Sequence, residues 1–304
     1  MNALTFRDVT KRYGKRLALD GATFRVPRGS TTGFVGHNGA GKTTAFSLVA
    51  GFLRPDSGAI DLLGRGAFDP HLHKGLIGVL PQDAELPDRH TPRELLTHLA
   101  RLQGLGAAAA VREVGVAIDA VLLADRADAR IATLSHGMRR RVAIAAALVG
   151  HPPLVLLDEP LSGLDPVQAH AVRENLRSLR ASRTFVISSH DLADLERLCD
   201  WVVMLKDGRC LREGSLTDVT DSARVVEWTL GPGEVPLAAL TARLPSDRFT
   251  LDGDRLVQTA EGDLDRSSVQ VMEELARAGI PLRAVARGVG LERRFVDDVM
   301  GRGQ

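Results

Sequence analysis

Gly36-His37-Asn38-Gly39-Ala40-Gly41-Lys42-Thr43-Thr44 is the stretch on which the reading of the whole chain turns. Its spacing is G-x-x-x-x-G-K-[ST], in which glycines free backbone N–H groups to wrap a polyphosphate while a lysine adds a point charge. The flanks agree with it. Thr32-Gly33-Phe34-Val35 before the loop is a short β-prone apolar run, and residues 44–50 after it space apolar side chains as a helix does. Strand, loop and helix in that order aim a helix N-terminus, with its partial positive charge, at the phosphates beside Lys42. Thr43 then offers its hydroxyl to Mg²⁺, and Thr44 reaches the next phosphate back. A glycine-rich turn with an incidental lysine is the bland alternative, and it leaves the flanks unexplained.

Length and composition bound the rest. The 304 residues suffice for one large or two ordinary domains, and 44% hydrophobic residues are ample for a core. Lysine and arginine number 39 against 38 acidic residues, a formal charge of +1, so no global field argues for nucleic acid or an anionic membrane. The basic run Arg139-Arg140-Arg141 reads as a solvated helix face. Cys199 and Cys210 lack zinc-like spacing and suit a reducing compartment. No run approaches a membrane span, and the first residues do not resemble a signal peptide, so a cytoplasmic chain is expected.

Along the chain, short β segments at residues 4–6 and 22–26 precede the loop, with Pro27-Arg28-Gly29-Ser30 as a turn. Tyr13, the only tyrosine, falls in the first connection, where it either stacks on a base or is a partly buried loop residue. Pro55-Asp56-Ser57-Gly58 reads as a turn, and the strand Ile77-Gly78-Val79-Leu80 ends at Pro81-Gln82-Asp83. Thr91-Pro92-Arg93-Glu94 then combines an N-cap, a first-turn proline and a capping-box glutamate, opening a helical insertion. That insertion ends in Leu134-Ser135-His136-Gly137-Met138, and a helix is expected over residues 139–149 with Ser135 as a good N-cap. Pro153-Leu154-Val155-Leu156-Leu157-Asp158-Glu159 is a buried parallel-type strand finishing in two carboxylates. Ligands of open α/β sheets sit at the C-terminal ends of strands, which puts Asp158 beside the loop where Mg²⁺ needs a carboxylate. Ser162-Gly163-Leu164-Asp165-Pro166 turns into another helix, and Thr184-Phe185-Val186-Ile187-Ser188 runs to Ser189-His190-Asp191 at the same edge. A lone histidine there is either structural or part of the site.

Taken together, roughly the first 215 residues resemble the ATP-binding subunit of a bacterial ABC transporter, with the motifs in that family's order from Tyr13 to His190. The resemblance implies an α/β P-loop NTPase fold with an antiparallel β subdomain and a helical subdomain over about residues 84–150. It implies that Tyr13 stacks on adenine and that residues 36–44 hold the phosphates. Gln82 contacts Mg²⁺ and the attacking water, alongside Thr43 and Asp158 on the metal. Glu159 is the general base, His190 holds the γ-phosphate, and Asp165 belongs to the loop between them. Leu134 to Met138 form the signature, which completes the site of an opposite subunit. There the chain departs from L-S-G-G-Q, with His136 and Met138 in place of glycine and glutamine, a form that looks like export-type signatures. The implied partners are a second ATP-binding subunit, identical or not, and a separate integral membrane permease; no nucleic acid is expected. The protein is then peripheral on the inner face of the cell membrane.

Residues 220–304 read as a small α+β module. Strands are expected at 225–230, 255–258 and 280–285, and helices at 268–278 and 291–300. Val269, Val271, Met272, Leu275 and Ala276 fall on one apolar side of the first helix, which Gly279 ends. Leu291-Glu292-Arg293-Arg294-Phe295 resembles the close of an accessory domain found in export-type ABC ATPases, where ligand sensing and dimer bracing are both open. Two rivals to an export ATPase are a soluble ABC ATPase acting on ribosomes or nucleic acid, and a regulatory subunit with little hydrolysis. Tandem ATPase domains or a long coiled coil would mark the first; loss of Glu159 or His190 would mark the second.

Overall fold

The computed structural model describes residues 1–300; residues 301–304, the end of the accessory module read above, lie outside the described residues. The chain divides into two compact units, Met1–Glu213 and the residues from Gly214 onward.

The first unit opens with β1 (Asn2–Tyr13), β2 (Arg16–Pro27), β3 (Thr31–Val35), α1 (Lys42–Val49) and β4 (Ser57–Leu62). β1 pairs antiparallel with both β2 and β4. The first two strands run to twelve residues each, longer than the apolar runs suggest. Register shifts such as that between Phe6 and Val9 let polar residues pass without ending the pairing. Tyr13 therefore closes β1 opposite Arg16 and is not in a connection. The turn at Pro55 likewise stops at Asp56, whose carboxylate accepts the Arg12 N–H at 2.7 Å and a Lys11 Nζ bond at 2.9 Å, before Ser57 starts β4.

Next come β5 (Ile77–Leu80) and the helical part, α2 (Pro92–Leu102), α3 (Ala107–Ala120) and α4 (His136–Leu148). α2 starts in the reciprocal cap expected of it: Thr91 Oγ1 accepts from Glu94 N–H at 3.1 Å, and the Glu94 carboxylate accepts from Thr91 N–H at 2.9 Å. α4 begins at His136, three residues earlier than expected, because Ser135 Oγ accepts from Met138 N–H at 3.3 Å. Its arginines are not a solvated face. Arg141 is 6% exposed and donates to the carbonyls of Val121 and Leu122 beyond α3, and Arg139 pairs with Asp88 at 2.6 Å. Arg140 turns toward the end of the next strand.

β6 (Leu154–Asp158), α5 (Pro166–Leu179), β7 (Thr184–Ser188), α6 (Leu192–Leu198), β8 (Trp201–Lys206) and β9 (Arg209–Ser215) complete a sheet of order β5-β6-β7-β3-β8-β9. The pairs from β5 to β8 are parallel. Every residue of β3, β6 and β7 is buried, as a sheet covered on both faces requires. Phe34 and Asp158 both pair opposite Ser188, so these three strands end at one edge. A file of rings, Phe6, Phe24, Phe34 and Phe46, with centroids 4.4, 5.3 and 5.6 Å apart, joins the antiparallel sheet to the strand and helix around the phosphate loop. On the other side of β3, Trp201 lies under the Arg25 guanidinium, 5.9 Å from its ring centroid.

The second unit holds α7 (Leu216–Val219), β10 (Val225–Leu230), α8 (Leu237–Arg243), β11 (Arg248–Asp252), β12 (Arg255–Thr259), α9 (Leu264–Arg277), β13 (Leu282–Arg287) and α10 (Leu291–Met300). Its antiparallel sheet, β11-β12-β10-β13, packs around Trp228, which is buried among Val226, Leu240, Leu256 and Val271. α8 and β11 were not legible: the helix has seven residues, and the strand is a five-residue, largely exposed edge. α9 starts four residues before the expected Ser268, at an Asp263 cap, and buries Leu264, Ser267, Val271 and Leu275. Val269, Met272 and Ala276, expected on that face, are exposed. β13 lies two residues later than the expected strand, since Ile280 and Pro281 precede the pairing. Among the described residues, no helix is long and apolar enough to cross a membrane.

Phe34→Ala removes the middle of the aromatic file. It is expected to destabilise the first unit by about 3–5 kcal/mol, the usual range for a buried phenylalanine, measured by denaturant unfolding.

Candidate active site

The loop between β3 and α1 is shaped by what its glycines lack. A Cβ on Gly36 would lie 2.6 Å from the Leu205 carbonyl oxygen and 2.8 Å from Ala40 Cβ. Gly41 sits at φ 110°, a left-handed region that side chains disfavour, with Ala18 O 2.7 Å from where a Cβ would be. Gly41 also leaves α1 without a side-chain cap, so first-turn N–H groups have no intrahelical partner and suit an anion. Ala40 N–H closes the loop onto His37 O at 3.0 Å, and Gly208 N–H bonds Ala40 O at 3.1 Å. Lys42 Nζ donates to the carbonyls of Gly36 and His37. Burial pushes its ammonium below the usual lysine range, against the pull of Glu159 and Asp158.

A cleft of about 490 Å³ opens over this loop, lined by Tyr13, Asn38, Gly39, Lys42, Thr43, Thr44, Gln82, Asp158 and Glu159 among others. Those residues come from four separate stretches, and the fold brings them together. His37 turns away, with its Nε2 3.5 Å from Asp207. Arg16, which the sequence did not single out, lines the cleft beside Tyr13 and lies 3.5 Å from Gly39 O. Its position in the strand paired to Tyr13 is the signal that could have found it.

The two carboxylates differ sharply. Asp158 is 3% exposed and accepts a hydrogen bond from Ser188 Oγ. Burial raises its carboxyl above the usual carboxylate range, partly offset by the Ser188 bond and the cations of Lys42 and Arg140. Glu159 follows with φ 53°, and its N–H bonds Ser188 O at 3.2 Å and Ser188 Oγ at 3.1 Å. Its Oε2 accepts from His190 Nδ1 at 2.7 Å, so the half-hidden carboxylate is oriented by a largely exposed imidazole. Behind them, Arg140 donates to Gln82 O at 3.0 Å and to the carbonyls of Asp158 and Glu159.

Leu134 to Met138 and Asp165 do not line this cleft. Asp165 caps α5, accepting from Val167 and Gln168 N–H at 3.1 and 3.0 Å. The His136 ring lies against Gly163, where a Cβ would be 2.7 Å from His136 Cδ2.

Comparison with known proteins identifies the family and the fold. The family model described as "ABC transporter" matches residues 19–162. The "Nod factor export ATP-binding protein I" of Burkholderia orbicola is 40% identical over 214 residues, 70% of each chain, and that of Rhizobium etli is 36% identical over 301 residues, covering 97% of this chain and 93% of the relative. The chain belongs to the ABC transporter ATP-binding family. Among solved structures, one described as the "Structure of ATP binding subunit of ABC transporter" superposes with a TM-score of 0.66 at 27% identity, over 89% of this chain and 99% of that one. A bacterial Atm1-family ABC exporter with ATP bound gives 0.65 at 29%, over 72% of this chain and 40% of that one. The fold is thus that of an ABC ATPase.

The buried carboxylate yields a stability prediction. Its folded-state pKa is raised, so its stabilising contribution is present in acid, below the unfolded value near 3.9, and is lost as pH rises through the folded value. Above that window Asp158 contributes less to stability than an uncharged side chain in its place. Asp158→Asn, without nucleotide and with chelator, is expected to raise the thermal midpoint by about 2 °C at pH 7.5. The gain should shrink as pH falls through the raised folded value and be gone by about pH 4, near the unfolded value, as calorimetry across pH will test.

Proposed function

We propose that this chain hydrolyses ATP in a head-to-tail pair of ATP-binding subunits and powers export through a separate membrane permease. The observation that carries the reading is Glu159: a carboxylate oriented by His190 at the mouth of a cleft whose opposite wall is the phosphate loop. In the proposed reaction Tyr13 stacks on adenine, and the N–H groups of residues 36–44 with Lys42 hold the phosphates. Glu159 orients the attacking water and takes its proton, and His190 steadies the γ-phosphate.

The residues also fit Mg²⁺. Thr43, Gln82 and Asp158 bring hard oxygen donors to the same cleft, one of them a carboxylate, as an ion that shares its coordination with phosphates and water requires. When bound, Mg²⁺ supplies charge neutralisation for the phosphates. The remaining work falls to the chain: Lys42 and the loop bind, Ser188 holds Asp158, and Glu159 accepts the proton.

Two further parts of the reading rest on different ground. Residues 134–138 lie outside this chain's own cleft, which supports their facing the nucleotide of a second subunit, whether a copy of this chain or a relative. Export, a permease partner and a peripheral place on the inner face of the cell membrane follow from the export proteins to which the chain is similar. Residues 1–215 would be the ATPase domain and 220–304 an accessory domain.

Glu159→Gln keeps the size and hydrogen bonding of the side chain but cannot take the proton. It is expected to bind ATP with unchanged affinity, to lose about 100-fold or more in turnover, and to accumulate as an ATP-bound dimer by size-exclusion chromatography. Wild-type turnover in this variant overturns the assignment of the base. For the second subunit, Ser135→Arg replaces a small N-cap with a bulky cation at a helix start that is meant for the partner's phosphate. ATP affinity of the monomer should stay within about 2-fold while hydrolysis and ATP-driven dimerisation are lost. Normal dimerisation and activity in Ser135→Arg would leave that serine as a helix cap and nothing more.

A further inference from the structure

Three consecutive arginines stand on α4, and they do three different things. Arg139 pairs with Asp88 at the surface, and Arg141 caps the backbone beyond α3. Arg140 instead reaches the site from behind. Its Nη1 donates to Gln82 O at 3.0 Å, and its Nη2 donates to both Asp158 O and Glu159 O, the latter at 2.9 Å. The guanidinium thus grips the two carbonyls that flank the Cα of Glu159.

That residue needs gripping. Glu159 has φ 53°, a left-handed conformation in which the Cβ of an L-residue crowds the following carbonyl. Such a conformation persists only where surroundings over-determine it. On the amino side, the Glu159 N–H is held by Ser188 O and Oγ at 3.2 and 3.1 Å. On the carbonyl side Glu159 O accepts from Ser162 N–H at 3.1 Å in the following turn and from Arg140, and of these donors Arg140 alone also binds Asp158 O. The left-handed turn is what brings the Glu159 carboxylate off the line of β6 and within 2.7 Å of His190 Nδ1.

Arg140 occupies this place at a cost. Burial opposes its charge, and its Nε is buried without a partner. An apolar side chain of the same length would fill the space without that penalty but could not donate to carbonyls.

We propose that Arg140 is a positioning residue for hydrolysis, which clamps the carbonyls of Asp158, Glu159 and Gln82 and so fixes the Glu159 carboxylate and the Gln82 loop to one anchor on the signature helix. This rests on the reading of Glu159 as general base. Because the same guanidinium holds Gln82 O, a shift of that loop loads the Glu159 backbone directly, and a shift of α4 moves both.

The test uses the purified full chain with Arg140→Met, Arg140→Lys and, as a neighbour control, Arg139→Ala. ATP affinity is titrated with a fluorescent ATP analogue, turnover is measured against ATP concentration, and thermal midpoints are recorded. Arg140→Met should keep analogue affinity and KM within about 3-fold and lose about 100-fold in kcat, the scale of a small misplacement of a reacting group. Arg140→Lys, which can still donate to some of the carbonyls, should recover part of that loss, and Arg139→Ala should turn over as wild type. Wild-type kcat in Arg140→Met overturns the proposal. So does a loss of kcat matched by equal losses of affinity and thermal midpoint with no recovery in Arg140→Lys, which is the pattern of a merely structural residue. A wild-type chain without turnover would overturn the hydrolysis reading itself, and is told apart because it precedes any variant.

Discussion

The hydroxyl of Ser188 is the contact on which the candidate site depends. It donates to Asp158 Oδ1 and accepts from Glu159 N–H, so one small side chain sets both carboxylates. It is placed by sheet register: Ser188 is the last residue of β7 and pairs with Asp158 on one side and Phe34 on the other. A strand shifted by one residue would turn that hydroxyl to the opposite face and leave a nearly buried carboxylate without its donor. The parallel sheet is therefore the instrument that brings a phosphate loop and two acids from distant stretches to one edge with the required orientation.

Much of this was legible in the sequence for a definite reason. The phosphate loop, the capped α2, the apolar run into Asp158 and the run into Ser188 each carry a local signature, made of glycine spacing, cap chemistry or continuous hydrophobicity. What was missed depends on partners far away in sequence. The long strands β1 and β2 survive polar residues because bulges and cross-strand pairing carry them, and no window of apolar spacing reports that. Arg140 looked like solvated charge because its acceptors are backbone carbonyls, which have no side-chain identity to read. The buried face of α9 was misjudged by treating Val269 and Met272 as core, when Leu264 and Ser267 set the face instead.

The altered signature has a local physical account. A histidine replaces the glycine expected at position 136, and the space its ring needs is supplied by Gly163, which has no side chain to meet it. His136 opens α4 and Gly163 lies in the turn before α5, yet each constrains the other: a larger residue at 163 would require the histidine to move. Ser135 meanwhile keeps its capping bond to Met138, so the start of α4 is intact.

The chain contains two tryptophans, and the division into two units separates them. Trp201 is partly exposed beneath a guanidinium in the first unit, whereas Trp228 is 1% exposed in the apolar centre of the second. Their indoles therefore sit in different surroundings, one at the margin of an apolar core beneath a cation, the other fully enclosed. Intrinsic emission from this protein is expected to be a sum of two tryptophan components. Each belongs to one unit, and the loss of either marks which unit has opened.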